Sequence, residues 1–187
     1  MKINLTEIKE HRRLKPKKWY FFWYYAPTWF FLFLPILNIY FLIRDSINND
    51  TVKLERTING LGIVWVFLVL AILTFIIKYF ALRFKSIKAD LTNEEYNSVI
   101  DKTIEQLNWE PIKRSQTHLV ADSHSSLIGT GERVTIVKNN NEILINSICN
   151  PDSRAAIFSF GGNEKNIWTF KRNVKASCQQ RTEVKNK

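Results

Sequence analysis

The chain has 187 residues, 45% of them hydrophobic, and a formal net charge of +10 from 27 basic and 17 acidic side chains. This length accommodates one modest soluble domain and a small membrane part, since single domains typically run to about 100–150 residues. The charge is concentrated: residues 1–18 hold seven Lys/Arg against two Glu, whereas 84–187 hold 15 basic and 12 acidic residues. A uniformly basic surface would point to nucleic acid; an excess beside an apolar segment argues against that partner and for orientation in a bilayer.

Residues 1–18 read as a basic cytoplasmic N-terminus. Arg12, Arg13, Lys15, Lys17 and Lys18 stand just before the first apolar run. They are the expected contacts to lipid headgroups, each worth ~1 kcal/mol against an anionic leaflet.

Two charge-free runs follow, 25 residues from Trp19 to Ile43 and 21 from Thr57 to Ile77. A helix rises ~1.5 Å per residue and a hydrocarbon core is ~30 Å thick, so ~20 residues span it. The expected spans are 19–43 and 57–82, joined by an extracytoplasmic loop at 44–56. The first run is too long for a cleavable signal. Trp19, Tyr20, Trp23, Tyr24 and Tyr25 crowd its start as an interfacial belt would, and Pro27 and Pro35 remove backbone donors within it. The hydrocarbon part is therefore expected to begin near Tyr24 or Pro27. Asn38 is the strongly polar residue inside, a candidate for a polar contact within the membrane.

Lys78, Arg83, Lys85 and Lys88 follow the second run, while 44–56 balances three basic against three acidic residues. The positive-inside rule puts both termini in the cytoplasm, with the protein multi-pass in a bacterial inner membrane.

After a linker at 83–90, residues 91–178 read as an α+β domain: helix, four or five antiparallel strands and a C-terminal helix. Thr92 and Glu95 fit a capping box, and Tyr96, Val99, Ile100, Ile104 and Leu107 recur on one helical face. Strands are expected over Trp109–Arg114, His118–Ala121, Arg133–Lys138, Glu142–Cys149 and, more briefly, Ala155–Phe160. Asn139-Asn140-Asn141 supplies turn chemistry between the third and fourth. Asn163 is a good N-cap, and Ile167, Phe170, Val174 and Cys178 keep helical spacing, although Ile167–Phe170 also suits a strand. Residues 179–187 read as a polar, frayed tail. Such a sheet buries one face under helices and leaves the other for a partner.

The run Ile143-Leu144-Ile145-Asn146-Ser147, then Ser153-Arg154, then Phe160-Gly161-Gly162-Asn163-Glu164-Lys165-Asn166-Ile167, resembles the closing segment of an uncharacterised bacterial α+β domain family. That family pairs a strand ending in Ser with a turn, a Gly-Asn cap and a final helix. The resemblance covers about the last third of the chain and implies a fold without an activity.

His118, His124, Cys149 and Cys178 include no close-spaced pair of the kind zinc sites use, so no metal is expected. Ser123-His124-Ser125-Ser126 has the composition of a loop, and no Gly-x-Ser-x-Gly occurs, so no catalytic residues are assigned. Gly129-Thr130-Gly131-Glu132 is a turn with no helix after it. Arg154, Gly161, Gly162, Asn163 and Lys165 form a candidate anion site at a helix start. No Walker A or dinucleotide fingerprint is present, and no cofactor is expected. These features lead to an expected non-enzymatic role: a membrane-anchored interaction domain, an accessory or scaffold subunit with a protein partner or a homo-oligomer. The alternatives are a ligand-gated membrane effector that senses a nucleotide or other anion, and an interfacial enzyme.

Overall fold

The computed structural model describes residues 4–15, 18–49, 51–123, 131–150 and 162–185. In chain order these form α1 (Leu5–His11), α2 (Lys18–Tyr24), α3 (Ala26–Ile47), α4 (Thr51–Asn59), α5 (Leu61–Ala81), β1 (Lys85–Lys88), α6 (Asn93–Leu107), β2 (Trp109–Arg114), β3 (His118–Ser123), β4 (Glu132–Asn139), β5 (Glu142–Cys149) and α7 (Gly162–Lys185). The chain divides into two compact units, Lys17–Phe80 and the combination of Met1–Pro16 with Ala81–Lys187.

The Lys17–Phe80 unit is helical. Its α3 and α5 are each long and apolar enough to cross a membrane, with only 17% and 11% of their most apolar windows buried. The expected first span is divided: α2 ends at Tyr24, and Tyr25 leaves helical geometry at φ −94°, ψ 14° before α3 starts with Ala26 and Pro27. Proline at that position has no N–H to continue the ladder. Pro35, by contrast, lies within α3 without ending it. The expected loop at 44–56 is largely helical, because α3 runs on to Ile47 and α4 begins at Thr51. Asp45 organises this end: only 3% exposed, it accepts from Arg44 Nε at 2.9 Å and Nη2 at 2.7 Å, and from Thr57 Oγ1 at 3.4 Å.

The second unit is built on a five-stranded antiparallel sheet in the order β1-β5-β4-β3-β2. Residues 83–90, expected as a linker, contain β1, whose Lys85–Lys88 pair with Ile145–Glu142 of β5. Asn140 at the β4–β5 turn has φ 48°, the left-handed conformation that asparagine tolerates. One face of the sheet packs under α6 and α7 through Leu119, Ala121, Val134, Ile136, Ile143 and Ile145 against Tyr96, Ile100, Ile167, Phe170 and Val174. Each such side chain, when fully buried, contributes roughly 1.5–3 kcal/mol. The α6 start is the expected capping box: Thr92 Oγ1 accepts from the Glu95 N–H at 3.2 Å, and Glu95 Oε2 from the Thr92 N–H at 2.7 Å. Asn173 Nδ2 ties α7 to α6 by donating to Thr103 Oγ1 at 2.9 Å and Gln106 Oε1 at 3.0 Å.

The opposite face was expected to be free, and it is covered. Val120, Val137, Leu144 and Ile148 are buried there. Strands buried on both faces need a second cover, and the N-terminal segment supplies it: α1 packs against β4, with Ile8, Leu14, Leu82 and Phe84 also buried. The Leu14 N–H donates to Leu82 O at 2.9 Å and the Phe84 N–H to Arg12 O at 2.8 Å. Asn146 Nδ2 then holds the Ala81 and Arg83 carbonyls, each at 2.8 Å.

α7 continues to Lys185, well into the expected polar tail. Arg181 explains part of this extension, donating to Asp90 O at 2.6 Å and lying 3.7 Å from Glu95. The expected strand Ala155–Phe160 lies outside the described residues.

Candidate functional site

In the Lys17–Phe80 unit the inner surfaces are tied by polar contacts and the outer surfaces are bare hydrocarbon. Thr28 and Thr74 hydroxyls meet at 3.2 Å, with Thr74 Oγ1 also donating to the Leu70 and Ala71 carbonyls at 2.9 and 3.0 Å. Tyr24 Oη donates to Lys78 O at 3.1 Å, and Lys78 Nζ sits 4.7 Å from the Tyr24 ring centre. Facing outward are Phe30, Phe33, Ile36 and Ile43 on α3 and Ile63, Trp65, Val66 and Ile77 on α5, all more than half exposed. A soluble surface rarely presents so continuous an apolar patch. Asn38 Oδ1 is buried with no hydrogen-bond partner.

The second unit concentrates its polar residues at the start of α7. Asn166, 2% exposed, accepts at Oδ1 from Trp109 Nε1 at 3.1 Å and from Ser123 Oγ at 3.4 Å. Its Nδ2 donates to Ser147 Oγ at 3.2 Å, and Ser147 in turn donates to Asn163 Oδ1 at 2.9 Å. One helix is thereby fastened to β2, β3 and β5. Glu132, 4% exposed, places its carboxylate against Gly162 at the first turn of α7, where a negative charge is favoured by the free N–H groups.

The sequence-derived residues distribute as follows. Gly162 and Asn163 do come together at a helix start, but Glu132 already stands there, and a carboxylate repels a second anion. Lys165 is exposed on α7, and Arg154 and Gly161 lie outside the described residues. Among the N-terminal basic residues, Arg12 Nη2 donates to Glu142 Oε1 at 3.1 Å, Arg13 bridges to Arg83 as a short antiparallel pair, and Lys15 pairs with Glu7. Lys17 is outside the described residues, and Lys18 opens α2. Ser123 is bound to Asn166, while His124, Ser125, Ser126, Gly129 and Thr130 fall outside. His118 pairs its Nδ1 with Ser115 Oγ; burial, then Lys113, lowers its pKa. Cys149 and Cys178 are not in disulfides, and no His/Cys/Asp/Glu cluster suited to a metal occurs among the described residues.

Glu132 and Asn166 were missed. A signal for Asn166 was present, since Asn163 and Asn166 share a helical face by their three-residue spacing. Glu132 had none, because its partner is 30 residues away in sequence.

Glu142 is the other organised acid. It accepts from Ser86 Oγ at 2.6 Å, Asn139 Nδ2 at 3.0 Å and Arg12. The Ser86 hydroxyl first, then Asn139, Arg12 and Lys88, hold its carboxyl below the usual range.

The architecture defines an α+β protein that carries two helices of membrane-spanning length and apolarity. No family model, curated protein or solved structure matches the chain.

Proposed function

We propose that α3 and α5 insert as a hairpin into a membrane and hold the α+β unit at its cytoplasmic side, where it acts as a non-enzymatic interaction domain of a membrane assembly. The outward-facing phenylalanine, isoleucine and tryptophan side chains of both helices carry this reading, since water would oppose their exposure and lipid would not. The composition of the second unit supports the same topology. Residues preceding the hairpin and residues following it fold together, so a chain that leaves that side must return to it. The flanking Arg12, Arg13, Lys78, Arg83 and Lys85 favour the cytoplasm as that side. Glu132 at the head of α7 weighs against an anion-gated effector.

The test is purification of the full chain in mild detergent after carbonate washing of membranes. The expected result is retention in the washed membrane and a stoichiometric protein partner or defined homo-oligomer. Release by carbonate would overturn the anchor, and a lone monomer would overturn the assembly.

A further inference from the structure

We propose that the open edge of β1, with the adjoining side of α7, takes an acidic, extended polypeptide segment as a sixth strand of the sheet. This deepens the reading of the α+β unit as an interaction domain and rests on it.

β1 is an edge strand with β5 as its partner. Lys85, Ser86 and Lys88 are exposed while Ile87 is buried. The ladder continues as the Ala89 N–H donates to Asn141 O at 3.0 Å. In an antiparallel ladder alternate residues turn their backbone groups to the partner. Lys85, Ile87 and Ala89 therefore face β5, and Ser86 and Lys88 present N–H and C=O to the open side. The other edge, β2, is blunted by Pro111 and by a register shift between Pro111 and Lys113. β1 has neither device, and the Arg12–Leu14 segment that pairs along the same edge bonds to Leu82 and Phe84, before β1 begins.

A groove of about 590 Å³ runs between β1 and α7, floored by Ile87, Val174 and Cys178 and rimmed by Lys88, Lys171 and Lys175. Lys171 and Lys175 have no acidic partner among the described residues. Glu164, the nearby acid on α7, is held by Lys85 at 2.9 Å, and Lys88 shares Glu142 with Arg12. Four residues of helix advance ~6 Å, close to the ~6.6 Å between same-side residues of a strand. Carboxylates at alternate positions of an added strand would therefore match both lysines, while the backbone pairs with Ser86 and Lys88.

Charge also selects among occupants. Pairing with β1 of a second copy would gather Lys88, Lys171 and Lys175 of both copies along one seam, a concentration of like charge. Lipid offers no backbone ladder to the outward N–H and C=O groups of Ser86 and Lys88, which disfavours the bilayer as occupant.

The experiment uses the full chain in phosphatidylcholine nanodiscs with a short fluorescent peptide of alternating valine and glutamate, and its lysine counterpart. The glutamate peptide is expected to bind at least about tenfold more tightly and to slow exchange of the Ser86 and Lys88 amides. The double variant Lys171→Glu/Lys175→Glu, altered only at surface positions, should weaken binding about tenfold. Lys88→Pro, which removes one outward N–H at an edge that tolerates proline, should abolish the protection. Equal binding of both peptides, or unprotected amides, would overturn the proposal. So would β1 amides already protected in a peptide-free dimer, or protected by phosphatidylserine alone. Retention in the disc and any copurifying partner are read separately, so the anchor reading and the strand-addition reading fail by different results.

Discussion

The carboxylate of Glu132 lies against the α-carbon of Gly162, on the side where any other residue would carry its β-carbon. Glycine at this position is thus a packing requirement set by an acid on β4. Gly162→Ala should cost about 1–3 kcal/mol, since Glu132 is too buried to swing clear. Thermal unfolding of the single variants and of Gly162→Ala/Glu132→Ala provides the check. The pair should be strongly non-additive, with the second change relieving the first.

Asn166 is the hub through which Trp109, Ser123 and Ser147 are satisfied. Asn166→Ala would leave buried donors without an acceptor, at a cost of about 1–3 kcal/mol for each group stranded. Equilibrium denaturation followed by tryptophan emission should show a lower midpoint with an unchanged slope. Asn166→Asp, which keeps the acceptor, should retain part of the stability.

Stability should fall on acidification in two separable stages. Both His118 and Glu142 have folded-state pKa values below their usual 6.5 and 4.5. In each case the unfolded chain binds the proton more readily, so stability is full above the unfolded value and declines as pH falls through the folded one. His118→Gln should flatten the limb just below neutrality. Glu142→Gln should flatten the more acidic limb, below the ordinary carboxylate value, by removing the titrating carboxylate that Ser86, Asn139 and Arg12 stabilise. Denaturation midpoints measured across this range separate the two.

Asn38→Leu should stabilise the hairpin by about 1 kcal/mol, because Oδ1 is buried without a partner and the replacement has nothing to satisfy. Detergent-titrated unfolding in micelles would measure it. A loss of stability would instead mean that the amide is bound in the hairpin.

The elements legible in the sequence were those fixed by local chemistry. The α6 capping box, the Asn139–Asn141 turn and the apolar spacing of α7 each lie within a few residues of chain, and each appears in the structure. The two apolar helices were equally plain from length and charge. What escaped was set by distant contacts. α1 offers little more than Ile8, followed by Leu14, and read as a charged flank; its role comes from a sheet more than a hundred residues later. β1 has a single buried side chain, Ile87, among three polar neighbours. The Asn166 network joins three strands and a helix across gaps of up to 57 residues, and no local pattern encodes such a meeting.

The cover supplied by α1 and by residues 82–84 has a consequence for biosynthesis. A segment made before the hairpin is among the last of this unit that can be used, since its docking surface is complete only once β3, β4 and β5 have left the ribosome. Until then Val120, Val137, Leu144 and Ile148 lack their lid. A soluble version of this unit would have to splice residues 4–15 directly to 81–185, because a fragment beginning after the hairpin would emerge with one side of its sheet uncovered and prone to aggregate.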